Sequence, residues 1–140
     1  MKNTLAILAC VLVLTGCVQR GQADERLARG CAAAAEMFLD DGFRIKEITN
    51  KTFRDDPDLG KGYRQVTLSA VETDRWLDVD KEYRCIFVEE FGFLNSTHTA
   101  TIYQVKVNGE TYGREGDQIL GSFEDQLRLT ETVEQAMNGL

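Results

Sequence analysis

The chain has 140 residues, 16 of them basic and 23 acidic, and a formal net charge of −7. This acidic balance argues against nucleic-acid binding and against electrostatic attraction to anionic lipid. A single proline, no low-complexity run and no internal repeat argue against a long disordered tail and a repeat architecture. The length is that of one domain with one core.

The first residues, MKNTLAILACVLVLTGC, have the layout of a secretory signal. Lys2 provides a positive start, and an apolar stretch from Leu5 to Leu14 precedes small residues. Such a stretch is too short to stay in a membrane as a spanning helix, which needs about 20 apolar residues. The pattern therefore predicts a chain that is exported.

The ending Leu14-Thr15-Gly16-Cys17 resembles the lipobox of bacterial lipoprotein precursors. The resemblance implies that the Cys17 thiol receives a diacylglyceryl group, that residues 1–16 are cleaved off, and that the freed amine is acylated. Two or more acyl chains anchor a protein stably in a membrane, whereas one acyl chain is marginal, because each buried methylene contributes about 0.8 kcal/mol. An ordinary cleaved signal and an uncleaved anchor are the alternatives, and both leave the placement of Leu14, Gly16 and Cys17 to chance.

The resemblance also implies a location. Val18 follows the cysteine, at the position where lipoproteins retained at the inner membrane often have Asp. We therefore expect an envelope protein anchored in the outer membrane and facing the periplasm. Cleavage would leave 124 residues with 15 basic and 23 acidic side chains. Residues 17–22 are expected to form the lipidated N-terminus and a short tether, and residues 23–140 a single α+β globular domain.

The same resemblance decides how the four cysteines are used. Cys10 leaves with the signal and Cys17 carries lipid, so that Cys31 and Cys85 remain in an oxidising envelope where thiols tend to pair. We expect a Cys31–Cys85 disulfide, which would contribute roughly 4 kcal/mol by closing a long loop. Two buried free thiols are the alternative. A redox-active pair is disfavoured because no C-x-x-C motif is present.

In chain order, the residues predict one helix, four strands and a second helix. Leu27, Cys31, Ala34 and Phe38 recur at helical spacing. The helices are predicted over 23–41 and 123–137, the second with an N-cap at Ser122, and the strands over 43–53, 63–72, 82–91 and 99–107. The segment 108–116 is interpreted as an Asn-Gly turn followed by a loop. Because the connections are too short for parallel crossovers, the expected fold is α+β, with a four-stranded antiparallel meander-like sheet between the two helices.

Strand parity gives an expected surface for a partner. Tyr83, Cys85 and Phe87 share one face and should lie under the first helix. Ile86 and Val88 then face the other way, and the second helix either covers that face or leaves it as an apolar patch. The hypothesis is a partner surface near Ile86, Val88 and Ile102, with Trp76 at its rim. For Trp76 itself, a buried plug under its loop is favoured over an exposed anchor.

Little in the sequence points to chemistry. His98, the only histidine, is expected in a solvated loop, and no nucleophile motif accompanies it. The acidic stretches at 55–58 and 74–82 lack EF-hand spacing and are interpreted as turns. Glu89 and Glu90 point to opposite faces of a strand and are expected to be solvated at its end. No catalytic residue, metal site or cofactor is predicted.

The expected function is therefore non-enzymatic. The chain is interpreted as a lipid-anchored envelope protein that contacts the membrane through Cys17 and binds an envelope protein partner or supports an assembly. The alternative is a small envelope hydrolase or a ligand-binding lipoprotein with an unrecognised site. A pocket lined by His98 and several carboxylates would favour the alternative, whereas a shallow apolar surface would favour binding.

Overall fold

The computed structural model describes residues 17–140, so the predicted signal at residues 1–16 lies outside the described residues. One helix, six strands and a second helix follow in order. They are α1 (Arg20–Glu36), β1 (Arg44–Asp56), β2 (Gly60–Thr73), β3 (Asp78–Phe91), β4 (His98–Val107), β5 (Glu110–Glu115), β6 (Gln118–Leu120) and α2 (Phe123–Met137). A single 3₁₀ turn, Phe93–Asn95, lies between β3 and β4. Helix α1 begins three residues before its predicted start, immediately after Val18 and Gln19.

All six strands of the described chain form one antiparallel sheet in the order β1-β2-β3-β4-β5-β6. The α+β class is confirmed, but the prediction of four strands is wrong. The error lies in the segment after Asn108, whose Asn-Gly turn is present with φ of 52° and 82° but leads into β5 and β6 rather than a loop.

A glycine makes this segment resemble a loop in sequence. Gly113 lies inside β5 opposite Gln104, with φ of 102°. A Cβ at this position would come within 2.5 Å of the Tyr103 carbonyl oxygen. The close approach of two strands, and not a loop, therefore requires the glycine.

Both helices lie on one face of the sheet. Ser122 caps α2 as predicted, its hydroxyl accepting a hydrogen bond from the Asp125 N–H at 3.0 Å. Helix α2 packs beside α1 at Gly30, where an added Cβ would lie 2.8 Å from Cγ of Met137. The opposite face of the sheet, here called the open face, carries no helix from residues 17–140.

The core lies between the helices and the covered face. Cys31 of α1 and Cys85 of β3 form the predicted disulfide, and both are fully buried. The largest buried side chains around the bond are Tyr83, Phe87, Leu27, Leu68 and Leu129. The disulfide thus joins the first helix to the third strand at the centre of the only large apolar cluster that the described residues form.

A β-bulge in β4 changes which residues face this core. Ile86 of β3 pairs with Gln104, whereas the next residue, Phe87, pairs with Ile102, so Tyr103 is the extra residue. The bulge puts Ile102 on the same face as Val105, although strict alternation puts them on opposite faces. Ile102 is 2% exposed and packs under the helices.

Candidate functional site

Cys17 lies at the surface, just before α1. Its Sγ is 3.3 Å from the Leu94 carbonyl oxygen, and the Val18 N–H donates to the Asn95 carbonyl at 2.8 Å. The turn between β3 and β4 therefore holds the chain at Cys17. Only Val18 and Gln19 separate this thiol from the first residue of the helix.

A layer of charged side chains lies between the first turns of α1 and the covered face of the sheet. We call it the polar layer, and its members are Arg20, Asp24, Arg26, Arg64, Glu89 and His98. Three of them are buried: Asp24 is 8% exposed, and the side chains of Glu89 and His98 are 8% and 0% exposed. Buried charges are costly unless they are paired and hydrogen-bonded, so the pairing within this layer decides its role.

Glu89 is the centre of the polar layer. Arg20 donates to both of its carboxylate oxygens, at 2.6 and 2.9 Å, and His98 Nε2 lies 2.9 Å from Oε2. Burial alone would raise the pKa of Glu89, but the hydrogen bonds from Arg20 and His98 outweigh it and hold this pKa below its ordinary value. Glu89 is therefore an ionised acceptor at neutral pH.

Asp24 binds two arginines from two elements. Arg20 Nη2 donates to its Oδ1 at 2.6 Å, and Arg64 of β2 makes a two-point contact through Nε and Nη2 at 3.1 and 2.9 Å. The two-point geometry is the strong form of an arginine–carboxylate pair. The polar layer therefore ties α1 to β2 and β3 at the end of the molecule where Cys17 lies.

His98 is enclosed by its neighbours. Arg26, which can only donate, places Nη1 3.2 Å from Nδ1, so Nδ1 accepts and Nε2 carries the proton donated to Glu89. The ring also packs on Phe91, with centroids 4.8 Å apart. The expectation of a solvated loop histidine is wrong, because His98 begins β4 on its covered face and its imidazole has no contact with solvent.

A cavity of about 350 Å³ lies beside His98, between β4 and α2. The polar residues that line it are Arg26, His98, Thr99, Thr101, Thr130, Glu134 and Asn138. It contains one carboxylate, that of Glu134, rather than several. Because the His98 side chain is 0% exposed, a molecule in the cavity would meet the backbone of that residue and not its imidazole.

The four residues of the expected partner surface do not come together. Ile102 lies in the core, Ile86 is buried on the open face at 8% exposure, and Val88 beside it is 42% exposed. Trp76 lies in the β2–β3 turn, eight strand residues or about 27 Å from Ile86. The single surface proposed from parity is therefore wrong in its geometry, since the β4 bulge removes Ile102 and the length of β3 separates Trp76.

The open face is polar rather than an apolar patch. One row across four strands consists of Arg54, Gln65, Ile86 and Gln104. Tyr63 and Tyr103 pack edge to face beside this row, with centroids 5.4 Å apart. Ile86 is thus covered by polar and aromatic neighbours instead of a helix, and the face lacks the continuous apolar area typical of a protein interface.

Trp76 is exposed, contrary to the buried plug that the sequence favoured. Its side chain is 93% exposed, and that of Leu77 is 55% exposed. Asp74 fixes the turn, since its Oδ1 accepts from the backbone N–H groups of Trp76 at 3.0 Å and Leu77 at 2.8 Å. These backbone donors lower the pKa of Asp74 below its ordinary value.

Sequence reasoning missed the polar layer, although the signal was present. Glu89 shares its strand parity with Cys85 and Phe87, and Arg64 shares the parity of Val66. The rule that put Cys85 under the helix therefore also puts Glu89 there. The expectation that Glu89 is solvated is wrong, because its parity places it on the covered face although it lies near the strand end.

Residues 17–140 contain no group of three or more His, Cys, Asp or Glu side chains that is placed to hold a metal ion. No helix in this range is long and apolar enough to cross a membrane. Comparison of the chain with protein-family models, with curated proteins and with solved structures finds no match.

Proposed function

We propose that this chain is a lipid-anchored bacterial envelope protein whose domain binds a partner without catalysing a reaction. The observation that carries the proposal is the position of Cys17. This cysteine ends the lipobox-like LTGC, is exposed, and leads within two residues into a helix that is bonded to the sheet. An acyl group on Cys17 would therefore hold the folded domain directly and not through a long tether.

The polar layer supports a structural role for the buried charges. A general base must reach the substrate proton, but the His98 imidazole is enclosed between Arg26, Glu89 and Phe91. The Glu89 carboxylate likewise accepts hydrogen bonds from Arg20 and His98 and is not free to accept a proton from a substrate. These groups stabilise the junction of α1 with the sheet.

Trp76 is the best candidate for contact with the partner. Exposing the large apolar side chain of a tryptophan to water is unfavourable, and tryptophan is enriched among the residues that dominate the binding energy at interfaces. Its turn is fixed by the Asp74 hydrogen bonds, so binding would not have to order a loose loop. The charges of Asp74, Arg75 and Asp78 around it suit a protein surface with polar groups at its rim.

The anchor is tested by acylation of the full-length chain. Cys17→Ala should abolish incorporation of a metabolic acyl probe and leave the protein unprocessed or mislocalised. The matched control is the double variant Cys31→Ala/Cys85→Ala, which removes two other cysteines and should still be labelled. Equal labelling of Cys17→Ala and wild type would refute the proposal.

The cavity beside β4 favours ligand binding as a second candidate function. Its volume of about 350 Å³ is within the range of small-molecule sites, and Arg26, Glu134 and Asn138 supply polar groups. Ala100→Phe would fill it from the strand side, because Ala100 lines the cavity and shares the covered face with Ile102. A small molecule that co-purifies with the wild type and is lost in this variant, as measured by native mass spectrometry, would support this function.

A further inference from the structure

The turn between β3 and β4 presents two large apolar side chains to solvent beside Cys17. Phe93 is 85% exposed and Leu94 is 73% exposed. The turn is nevertheless well ordered by backbone hydrogen bonds: Gly92 N–H donates to Thr97 at 3.0 Å, Asn95 N–H to Gly92 at 2.9 Å, and Ser96 N–H to Phe93 at 3.1 Å. A fixed backbone thus holds both side chains away from the core.

The backbone of this turn is unfavourable for the residue that it carries. Leu94 has φ of 52° and ψ of 32°, in the left-handed region that glycine and asparagine tolerate and leucine does not. A leucine that is both exposed and in a strained conformation contributes little to the fold. Strain of this kind that persists at the surface is a reason to look for a function outside the fold.

Cys17 contacts this turn directly. Its Sγ is 3.3 Å from the Leu94 carbonyl oxygen, and Val18 is hydrogen-bonded to Asn95. Acyl chains attached to Cys17 would therefore leave the protein beside Phe93 and Leu94, and not at the end of a flexible segment. A surface into which those acyl chains insert would therefore also contact the turn that carries Phe93 and Leu94.

The turn and the residues beside Cys17 carry no charge that would oppose entry into a lipid headgroup layer. Residues 91–97 and 17–19 include no Asp, Glu, Lys or Arg, and the exposed Glu90 lies just before this stretch. The nearest buried charge, Glu89, is paired with Arg20. Burying residues 91–97 and 17–19 in a bilayer interface would therefore desolvate apolar surface without desolvating an ion.

We propose that Cys17, Val18, Phe93 and Leu94 form a membrane seat, in which the two exposed side chains insert at the boundary of headgroups and acyl chains next to the lipid on Cys17. The occupant of this surface is a phospholipid bilayer. The inference rests on the proposed anchor and adds an orientation to it. Strand β3 then leads away from the bilayer, and its 14 residues put the Trp76 turn about 45 Å from the seat.

Tryptophan fluorescence tests the seat in the lipidated full-length protein, because Trp76 is the only tryptophan. The protein is matured in a bacterial host, its acylation is checked by mass spectrometry, and it is reconstituted into phosphatidylcholine vesicles with or without brominated acyl chains. Bromine quenches an indole that contacts it. The test variant is Trp76→Phe/Phe93→Trp, and the wild type reports on the far turn.

A matched control uses another exposed phenylalanine. Phe123 is 66% exposed and is the first residue of α2. The first turns of α2 line a cavity together with Met37, which follows the last residue of α1. Phe123 therefore lies near the opposite end of α1 from Cys17. We expect brominated lipid to reduce the emission of the Phe93→Trp indole about twofold, since interfacial side chains reach the acyl boundary. Wild-type Trp76 and the Trp76→Phe/Phe123→Trp variant should keep their emission.

Each other outcome contradicts a defined part of the inference. An acylated protein whose Phe93→Trp indole is not quenched would overturn the seat and leave the anchor standing. Equal quenching of all three proteins would overturn the orientation, because it would show contact without a preferred face. A mature protein without acyl mass on Cys17 would overturn the anchor and the seat together.

Discussion

The two ends of β3 present similar pairs of exposed apolar residues in opposite surroundings. At one end, Phe93 and Leu94 lie in an uncharged turn that contacts Cys17. At the other end, Trp76 and Leu77 lie in a turn fixed by Asp74 and flanked by charge. The neighbours of an exposed apolar residue thus carry more information than its exposure does, because a charge that suits a wet protein interface opposes entry into lipid.

The ends also differ in how they join the core. The Cys17 end is connected through α1, the polar layer and the disulfide, whereas the Trp76 turn simply links two long strands. Changes at the first end should therefore alter stability, and changes at the second should alter binding alone.

The largest expected effect comes from the disulfide. The double variant Cys31→Ala/Cys85→Ala should lower the free energy of unfolding by about 4 kcal/mol, because the bond closes a loop spanning 54 residues of sequence separation. Urea denaturation of the mature domain measures it. Cys17→Ala is the control and should leave the transition unchanged. A loss below about 1 kcal/mol would show that α1 is held to the sheet by packing alone.

The next effect concerns Glu89. Glu89→Gln should cost about 2–3 kcal/mol, because it removes a buried charge that accepts from both Arg20 and His98 and leaves Asp24 as the only carboxylate bound to Arg20. The control, Glu90→Gln, removes a carboxylate from the exposed neighbouring residue and should change stability by less than about 0.5 kcal/mol. Equal effects for both variants would contradict a structural polar layer.

The same carboxylate gives a pH dependence with a defined sign. The pKa of Glu89 is lower in the folded state than its ordinary value, so its contribution to stability is present above that ordinary value. The contribution is lost as the pH falls through the lowered folded pKa. The stability difference between wild type and Glu89→Gln should therefore be constant near neutrality and shrink in acid, which urea midpoints at several pH values would reveal. A difference that grows in acid would contradict this assignment.

Trp76→Ala should separate binding from folding. We expect partner affinity to fall by about 2 kcal/mol, roughly 30-fold, as is usual for a tryptophan that dominates an interface. The free energy of unfolding should not change measurably, since the side chain is 93% exposed. Crosslinking in the native envelope gives the readout, with Phe93→Ala as the control that keeps the partner. Loss of the partner in both variants would remove the division of roles between the two ends.

The smallest expected effect is a gain in stability. Leu94→Asn should raise the free energy of unfolding by about 0.5–1 kcal/mol, because asparagine tolerates the left-handed conformation that leucine adopts there at a cost. Leu77→Asn is the control at the other end, where the leucine is also exposed but its φ is not positive. A loss of stability in Leu94→Asn would mean that the leucine side chain packs on the fold more than its exposure indicates.

The sequence determined those features that depend on local pattern. Helix α2 begins and ends at the predicted residues, and Ser122 caps it. Both features depend on residues whose neighbours in sequence are also their neighbours in space. The Cys31–Cys85 bond joins residues 54 apart in sequence, and its prediction came from the cysteine count that the lipobox resemblance implies, with the spacing in α1 and the parity of β3 in support.

The failures came from contacts between strands. The bulge at Tyr103 depends on the pairing of β3 with β4, and nothing within β4 alone marks it. Gly113 belongs to a strand because of the carbonyl opposite it, which the sequence does not identify. Strand parity was enough to place Glu89 of the polar layer on the covered face. Its partner Arg20 was not predicted, because α1 was expected to begin three residues later than it does.

The neighbour-to-neighbour order of the sheet has a consequence for how the chain reaches its folded state. Each strand pairs with the strand that precedes it, so the sheet can grow one hairpin at a time through contacts that are close in sequence. Helix α1 is the exception: it is the first described element, yet it contacts β1, β2, β3, β4 and α2, which all come later. The segment after Cys17 therefore has to wait for β3 before Cys31 can meet Cys85, and oxidation of that pair would report that β3 is in place under α1.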